Sequence, residues 1–251
     1  MRYVESAPPS DLAEVVQATW TVEGLPGDSI RVTPDACTDL IFPAGGLLLF
    51  NGPMTVAEVV TLHTELTTGV RFRPGTRVLV AGVLRLREMR DSDLVVGDGR
   101  GWASASGDHL LGFVRELQGR HATERNAVVD AVLAAIDASV GTGCVLGDIY
   151  GALGVRERQV ERLFDLFVGL TPRQTLRVLR QSLVTRSLRV GSDGLAELAA
   201  DLGYSDQPHL TREYRALAGL TPGRYRREID GVGFVQDSGR AGPHAGPRYK
   251  Q

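Results

Sequence analysis

Four arginines in the C-terminal half are spaced so that their side chains could contact nucleic acid. Arg158 and Arg162 are four residues apart, which places both on one face of a helix. Arg212 and Arg215 are three residues apart and share a face in the same way. A guanidinium can donate two hydrogen bonds to guanine O6 and N7, or it can bind a phosphate. We therefore expect Arg162 and Arg212 to contact bases, with a phosphate contact or a solvated charge as the open alternatives.

Both arginine pairs belong to an internal repeat. The sequence Gly-Leu-Thr-Pro at residues 169–172 recurs fifty residues later at residues 219–222, and Arg162 matches Arg212 at the same offset. Farther upstream, from the glycine in each copy, the offset falls to 49. Agreement of apolar, glycine and arginine positions over this span predicts two copies of one structural unit.

Each copy reads as two helices joined by a tight turn. Apolar residues recur at i, i+3, i+4 and i+7 in residues 195–202, which predicts a helix with one buried face. Gly203 ends this helix, Ser205 or Asp206 caps the next one, and Pro208 occupies its first turn. Two such helices, the second bearing outward arginines, form a helix-turn-helix. The expected inner faces of the second helices are Leu210, Tyr214 and Leu217 in one copy, and Val160, Leu163, Phe164 and Phe167 in the other.

Residues from about 145 to 227 resemble the C-terminal DNA-binding domain of AraC-type transcription regulators. The carrying sequences are LAELAADLGYSDQPHLTREYRALAGLTPGRYRR (195–227) and GVRERQVERLFDLFVGLTPRQTLRVLR (154–180). The resemblance implies two helix-turn-helix units joined by a long helix, Arg173–Arg189, whose recognition helices enter successive major grooves of double-stranded DNA.

Two residues of the first unit depart from the family pattern. Tyr150 stands where the family normally has a small residue, which is Ala199 in the second unit. A tyrosine there must push the two helices apart or turn outward. Arg156 occupies a position that a capping serine often fills. We therefore expect the second unit to be the better packed of the two DNA-reading units.

The N-terminal half is predicted to be rich in short strands separated by turns, which suggests a small sheet or barrel. Helical texture is expected from Thr76, with a pattern at Val78, Leu79 and Gly82, and again at Leu110–Leu117. Polar residues 119–125 could form a linker, and Asn126–Val140 is predicted to be an amphipathic helix that leads into the second domain. The expected strands are Val15–Val22, Ser29–Thr33, Thr38–Phe42, Leu47–Phe50, Val56–Leu62 and Gly69–Phe72.

This half resembles the sensor-like domain that often precedes AraC-type DNA-binding domains. The resemblance is carried by Trp20, by Pro34–Phe42, by Asn51-Gly52-Pro53 and by Gly69–Gly75. It implies an architecture and no particular ligand. We expect a pocket between the strands that binds a small-molecule effector. Its predicted lining is Trp20, Phe42, Phe50, Arg71 and Phe72.

The predicted fold class is α+β. An N-terminal mixed β-rich domain with flanking helices precedes a C-terminal all-α domain of two helix-turn-helix units joined by a long helix. Residues 1–120 are the expected regulatory domain, 126–230 the expected DNA-binding domain, and 237–251, rich in Gly and Pro, an expected disordered tail. The predicted DNA contacts are Arg158, Gln159, Glu161, Arg162, Gln207, His209, Thr211, Arg212 and Arg215.

Arg71 and Arg73 alternate with apolar residues and so share one face of a strand. Pairing with Asp35 or Asp39 in a structural network is favoured over binding an anionic effector. Cys37 is expected to be a buried small hydrophobe rather than a redox or metal sensor.

Composition and residue usage exclude several functional classes. A hydrophobic fraction of 43% and a net charge of −2 are typical of a globular protein with at most a local basic patch. No apolar run approaches the roughly 20 residues of a membrane helix, and no secretory signal is recognised, so a cytoplasmic location is expected. Two distant cysteines and the isolated His63-x-Glu65 predict no metal site, and no cofactor is expected.

The sequence favours a sequence-specific DNA-binding transcription regulator that a small-molecule effector controls through the N-terminal domain. RNA polymerase and a second copy of the chain, in a homodimer, are candidate partners, and no membrane is expected to be involved. One alternative is an enzyme or a DNA-repair protein that uses the C-terminal half for targeting, although no catalytic constellation is found. Another is an N-terminal half that only dimerises, which the sequence does not separate from a sensor.

Overall fold

The computed structural model describes residues 1–80, 85–97, 107–143, 145–190 and 194–229, together with the backbone of residues 233–236. The tail expected to be disordered, residues 237–251, lies outside the described residues. Within the described part of the chain, no helix is both long and apolar enough to cross a membrane.

The N-terminal half consists mainly of short strands, and the six expected strands are confirmed to within a few residues. In chain order, the strands of the described residues are β1 (Arg2–Ser6), β2 (Val16–Glu23), β3 (Ser29–Val32), β4 (Thr38–Pro43), β5 (Leu48–Asn51), β6 (Glu58–Thr61), β7 (Leu66–Phe72), β8 (Arg77–Val78), β9 (Asp93–Gly97), β10 (Thr123–Glu124) and β11 (Gly233–Gln236).

Seven of these strands form one sheet in the order β11-β1-β2-β7-β4-β5-β9. Strand β11 runs parallel to β1, and the other neighbouring pairs are antiparallel. Strands β3 and β6, which β4 and β5 separate in the chain, pair antiparallel in a two-stranded sheet, and β8 pairs with β10. The β3–β6 sheet is therefore separate from the main sheet.

The prediction of helical structure from Thr76 is wrong where the structure describes these residues. Val78 lies in strand β8 and pairs with Thr123, because β10 supplies a partner that a local pattern does not reveal. The segment expected to be a linker, residues 119–125, thus contributes a strand. Gly82 lies outside the described residues, and Leu86–Met89 forms one turn of 3-10 helix.

Side chains alternate between the two faces of the large sheet, as strand geometry requires. One face carries Phe42, Phe50 and Phe72, which are at most 1% exposed. They share a core with the buried residues of helix α1 (Gly107–Gly119), which confirms the helix expected at Leu110–Leu117. The opposite face carries Trp20 and Arg71 and borders a cleft.

The C-terminal half is helical, as expected. Helix α2 begins after Asn126, whose Oδ1 accepts hydrogen bonds from the backbone N–H groups of Val128 and Val129 at 3.0 and 3.3 Å. The helices are α2 (Ala127–Ser139), α3 (Leu146–Leu153), α4 (Glu157–Phe167), α5 (Pro172–Val190), α6 (Leu195–Asp201), α7 (Gln207–Ala218) and α8 (Pro222–Ile229).

Helix α5 confirms the long connecting helix and belongs to two hydrophobic cores. Its buried Val178 packs with residues of α2, α3 and α4, whereas Val184 and Leu188 pack with residues of α6, α7 and α8. Thr171 and Gln174 start the helix with reciprocal hydrogen bonds between side chain and backbone, at 3.0 and 3.2 Å. The predicted α+β architecture is therefore confirmed, with one continuous helix shared by both helical units.

Candidate nucleic-acid interface and ligand cleft

The second helical unit, α6 and α7, has the expected helix-turn-helix geometry. Gly203 adopts a left-handed backbone with φ of 71° after α6. The side chain of Asp206 then caps α7, because its Oδ1 accepts the backbone N–H of His209 at 2.6 Å. Leu210 and Tyr214 are fully buried on the inner face of the helix. Burial of this face leaves the opposite side of α7 to project from the domain.

The outward side of α7 carries the residues expected to read DNA. Gln207, Arg212 and Arg215 are exposed, and His209 and Thr211 are partly exposed. The imidazole of His209 is held in place, because its Nδ1 lies 3.1 Å from the Ser205 hydroxyl oxygen. The edge-on ring of Tyr204 packs against it at 5.4 Å between centroids. The face therefore combines a fixed imidazole with two extended guanidinium groups.

The first unit, α3 and α4, repeats this arrangement with weaker local signals. Gly154 provides the left-handed turn with φ of 64°, and the inner residues Val160 and Phe164 are fully buried. Arg156 precedes α4 without a capping side-chain hydrogen bond, as its residue type predicts. Four predicted DNA-contacting residues are exposed on the outward side of α4: Arg158, Gln159, Glu161 and Arg162.

Tyr150, the departure from the family pattern, lies inside the first unit rather than outside it. Only 7% of the residue is exposed, and it shares the core of α2, α3 and α4. Burial raises the pKa of its phenol to about 12, and the nearby carboxylates of Glu157 and Glu161 act in the same direction. The first unit thus buries a neutral phenol where the second unit has the small residue Ala199.

The two units are tied to each other through α5 and α7. Arg177 of α5 forms two hydrogen bonds with the carboxylate of Glu213, at 2.9 and 3.2 Å. The buried Tyr214 hydroxyl lies 3.2 Å from the Thr185 hydroxyl, which also accepts a hydrogen bond from Gln181 at 2.8 Å. These contacts fix α7 on the helix that also enters the first core.

A cleft of about 2220 Å³ lies between the large sheet and the helical domain. Its walls come from the second face of the large sheet, the β3–β6 sheet, and helices α2, α5 and α8. Of the residues predicted to contact an effector, Trp20 and Arg71 line it. Phe42, Phe50 and Phe72 do not line it, because strand alternation turns them into the core on the other face.

The sheet wall of the cleft is organised around Asp39. Its Oδ1 accepts a hydrogen bond from Trp20 Nε1 at 2.6 Å, and Arg71 pairs with both Asp39 and Asp35 at 3.2 Å. Burial raises the pKa of Asp39 to about 6, although Arg71 opposes this shift. A Cβ on Gly69 would collide with the Trp20 ring, so only glycine lets the indole lie flat on β7.

The expected pairing of Arg71 with the two aspartates is therefore confirmed. Arg73 instead donates to the carbonyl oxygen of Ala13 at 2.7 Å, which gives it a structural role in this region. Cys37 is buried, as expected, and its burial raises the pKa of the thiol. Among the described residues, no group of three or more His, Cys, Asp or Glu side chains is placed to hold a metal ion.

Sequence reasoning missed the residues that connect the two domains. Arg31, on the β3–β6 sheet, pairs with Glu228 of α8 at 3.1 Å. Arg87 of the N-terminal domain pairs with Asp165 of α4 at 3.2 Å. Such pairs join residues far apart in the sequence and carry no local signal.

Known protein families match parts of both halves of the chain. A family described as a helix-turn-helix domain matches residues 150–228, and a domain of unknown function (DUF6597) matches residues 4–94. The transcriptional activator NphR of Rhodococcus sp is 33% identical over 88 residues, which are 35% of this chain and 26% of NphR. An AraC-like transcription regulator of Streptomyces antibioticus is 30% identical over 82 residues, or 33% of this chain and 27% of that protein. The chain thus spans about a quarter of the length of these relatives.

The fold of most of the chain is similar to that of ToxT from Vibrio cholerae. A structure of a ToxT variant without ligand covers 83% of this chain and 96% of its own, with 11% identity and a TM-score of 0.52. A ToxT structure with a bound unsaturated fatty acid gives a TM-score of 0.51, again at 11% identity. The helix-turn-helix family model thus matches the region of the two helical units on α5, and the likeness to the ToxT fold extends over the β-rich domain before them.

Proposed function

We propose that this protein is a sequence-specific DNA-binding transcription regulator whose recognition helices are α4 and α7. The observation that carries the proposal is the equivalent placement of Arg162 and Arg212. Each arginine is exposed on the outward side of its helix, four residues after the second helical residue, which is Arg158 in α4 and Pro208 in α7. The inner side of each helix is buried. Residues 1–120 then form the regulatory domain and residues 126–230 the DNA-binding domain.

The outward residues divide into two roles under this proposal. Arg162 and Arg212 chelate guanine O6 and N7, which is the commonest specific contact in the major groove. Gln159 and Gln207 lie near the helix starts and position the protein on phosphates. Five flanking residues modulate these contacts with the bases: Arg158, Glu161, His209, Thr211 and Arg215.

The cleft is the proposed effector site, with Trp20 and Arg71 on its sheet wall. Small-molecule sites have volumes of about 300–1,000 Å³, so an effector would occupy one part of this larger cleft. The walls combine apolar side chains with many charged ones, so they suit an organic molecule with a polar end, and the fatty acid bound to ToxT is a molecule of that kind. An open cleft favours a sensor over an N-terminal half that only dimerises.

In this proposal the chain acts by binding and catalyses no reaction. A regulator of this kind works on chromosomal DNA in the cytoplasm and acts through RNA polymerase. A homodimer of the chain would have twice as many recognition helices. These partners follow from the proposed role.

Selection of binding sites from random double-stranded DNA with the full chain tests the proposal. We expect a conserved sequence with two half-sites about 34 Å apart, and an affinity that falls steeply with salt because phosphate contacts release counterions. The double variant Arg162→Ala/Arg212→Ala should lose the sequence preference. Arg120→Ala, which removes an exposed arginine of the N-terminal domain, is the matched control and should keep it. Selection without enrichment, or equal enrichment by the double variant, would contradict the proposal.

A further inference from the structure

The two recognition helices carry opposite charges at one matching position near their C-terminal ends. Asp165 follows Arg162 by three residues and Arg158 by seven, so helix geometry places the three side chains on one side of α4. At the offset of fifty residues, Asp165 corresponds to Arg215 of α7, which is exposed. The first unit therefore has a carboxylate where the second unit has a guanidinium of its own.

The matching position lies toward the edge of the groove that each helix is proposed to enter. The N-terminal residues of a recognition helix contact base edges. Asp165 belongs to the last turn of α4, about 4.5 Å beyond Arg162 along the helix axis, and is therefore closer to the sugar-phosphate backbone. A carboxylate there repels phosphate groups. On its own, the first unit is thus poorly suited to hold the DNA backbone at this edge.

The N-terminal domain brings a guanidinium to the same position. Arg87 Nη1 donates a hydrogen bond to Asp165 Oδ2 at 3.2 Å, and 59% of the Arg87 side chain remains exposed. A guanidinium has five N–H donors, so one hydrogen bond to Asp165 leaves others for a second acceptor. Arg87 therefore stands beside the residue that corresponds to Arg215 and is still accessible to a partner.

The backbone of Arg87 is held next to α4 by the 3-10 turn to which it belongs. Leu86 and Met89 of this turn are buried in the core of the N-terminal domain, with 1% and 6% of each residue exposed. The turn also meets Gly169, just after α4, so closely that a Cβ on Gly169 would lie 2.8 Å from the Leu86 carbonyl oxygen. Packing on both sides therefore fixes where Arg87 can reach.

The charge of this turn compensates for that of α4. Residues 85–90 contain three arginines and one glutamate, for a net charge of +2. Helix α4 has a net charge of −1, whereas α7 has a net charge of +1. Together, the turn and α4 reach +1, which equals the charge of α7. The surface formed by both domains at the first unit is therefore as favourable to a polyanion as α7 is alone.

We propose that the DNA interface of the first unit is composite, with α4 reading bases and Arg87 of the N-terminal domain binding a backbone phosphate at the edge of the same half-site. The same guanidinium neutralises Asp165, which would otherwise face the phosphate. This inference rests on the proposed function and extends the DNA interface beyond residues 126–230.

The test measures how the affinity of the full chain for DNA depends on salt. Fluorescence anisotropy gives the affinity for three unrelated duplexes, because phosphate contacts also support binding without sequence preference. Each phosphate contact contributes about 0.9 to the slope of log affinity against log salt, so Arg87→Ala should reduce the slope by about that amount. Its affinity should fall about threefold to tenfold, equally on all three duplexes. Arg87→Lys keeps the charge and should keep the slope.

Arg115→Ala is the matched control. Arg115 is also an exposed arginine of the N-terminal domain that pairs with an aspartate, Asp11, at 2.7 Å. Its removal should leave the slope unchanged. The variant Asp165→Asn separates the two roles of Arg87. In that background the carboxylate no longer needs neutralising, and Arg87→Ala should still reduce the slope because the phosphate contact is lost. Urea unfolding of each variant verifies that the chain is folded.

Three results would overturn the inference. These are an unchanged slope for Arg87→Ala, an equal reduction by Arg115→Ala, and an effect of Arg87→Ala that disappears in the Asp165→Asn background. The last result would show that Arg87 only neutralises the carboxylate. Failure of the proposed function is distinguishable, because an unaltered chain that binds none of the duplexes at low salt would refute both proposals. A chain that binds them with the same slope after Arg87→Ala refutes only this one.

Discussion

The two helix-turn-helix units share a common interior and differ on the side that faces outward. Buried positions correspond from one copy to the other, because each unit needs its apolar face to fold. Glu161 of the first unit stands where the second has Thr211, and Asp165, which pairs with Arg87, stands where the second has Arg215. The two copies therefore share their internal packing and differ in their surface charge. The second unit presents the more positive surface to a polyanion such as DNA.

The units also differ in how each recognition helix begins. Asp206 caps α7, whereas Arg156 leaves the first turn of α4 without a side-chain acceptor. A missing cap makes the start of a helix easier to fray. The start of α4 carries Arg158 and Gln159, so the weaker cap falls on residues expected to touch DNA. Under the proposed function, the second unit is therefore the better prepared of the two to read bases.

The largest expected effect separates the two Gly-Leu-Thr-Pro turns. Gly219→Ala should lower the free energy of unfolding by about 1–2 kcal/mol, since a left-handed backbone disfavours a Cβ. Gly169→Ala adds a collision with the Leu86 backbone and should cost about 2–4 kcal/mol. Urea unfolding of both variants measures the difference. Equal losses would show that the N-terminal domain is not packed against the first turn.

The next effect concerns base reading by the two arginines. Arg212→Ala should remove about 1–3 kcal/mol of discrimination at one position of its half-site, and Arg162→Ala should remove less. Affinities for a matched panel of DNA variants at fixed salt measure both losses. Similar losses would show that Tyr150 and the uncapped start of α4 have no consequence for reading. A larger loss for Arg162→Ala would reverse the comparison.

The contribution of helix capping can be measured by adding a capping side chain before α4 and removing the one before α7. Arg156→Ser should stabilise the chain by about 1 kcal/mol, and Asp206→Ala should destabilise it by a similar amount. Arg156→Ala removes the same charge without supplying an acceptor, and it should leave the free energy of unfolding nearly unchanged. The denaturant concentration at the midpoint of unfolding measures these changes in stability, as long as the slope of the unfolding free energy against denaturant concentration stays constant. Stabilisation by Arg156→Ala as large as by Arg156→Ser would attribute the effect to charge rather than to capping.

The smallest expected effect is on the fixed imidazole of α7. Ser205→Ala frees the His209 ring and should reduce base discrimination by about 0.5 kcal/mol, within the range of one hydrogen bond. His209→Ala sets the upper limit of the loss on the same DNA panel. If Ser205→Ala alone reaches that limit, the hydroxyl itself contacts DNA and does not act through the ring.

Local signals in the sequence were sufficient to predict the helical domain. The cap at Asp206, the left-handed Gly203 and the proline in the first turn of α7 all act within a few residues, so the pattern and the structure agree. Helix α2 (Ala127–Ser139) agrees with the helix predicted over Asn126–Val140, because its apolar periodicity is equally local. In these places the chemistry that ends or begins a helix is visible in the sequence itself.

Structure that depends on distant partners was predicted less well. Val78 is in a strand only because Thr123 pairs with it, and neither segment has a strand pattern of its own. The effector contacts illustrate a different error. Arg71 and Phe72 are neighbours in one strand and cannot both face the same pocket, so strand alternation already separated them. Pairs between domains, such as Arg31 with Glu228, join segments whose proximity the sequence does not encode locally.

Helix α5 runs without a break through both helical cores, and this continuity limits how the chain can tolerate insertions. Its 19 residues span about 28 Å, and each added or deleted residue would turn everything beyond it by about 100° around the helix axis. One extra residue would therefore point α7 away from the side of the duplex that α4 faces. Length variation in this domain should be confined to the turns, while α5 keeps its residue count even as its exposed side chains change.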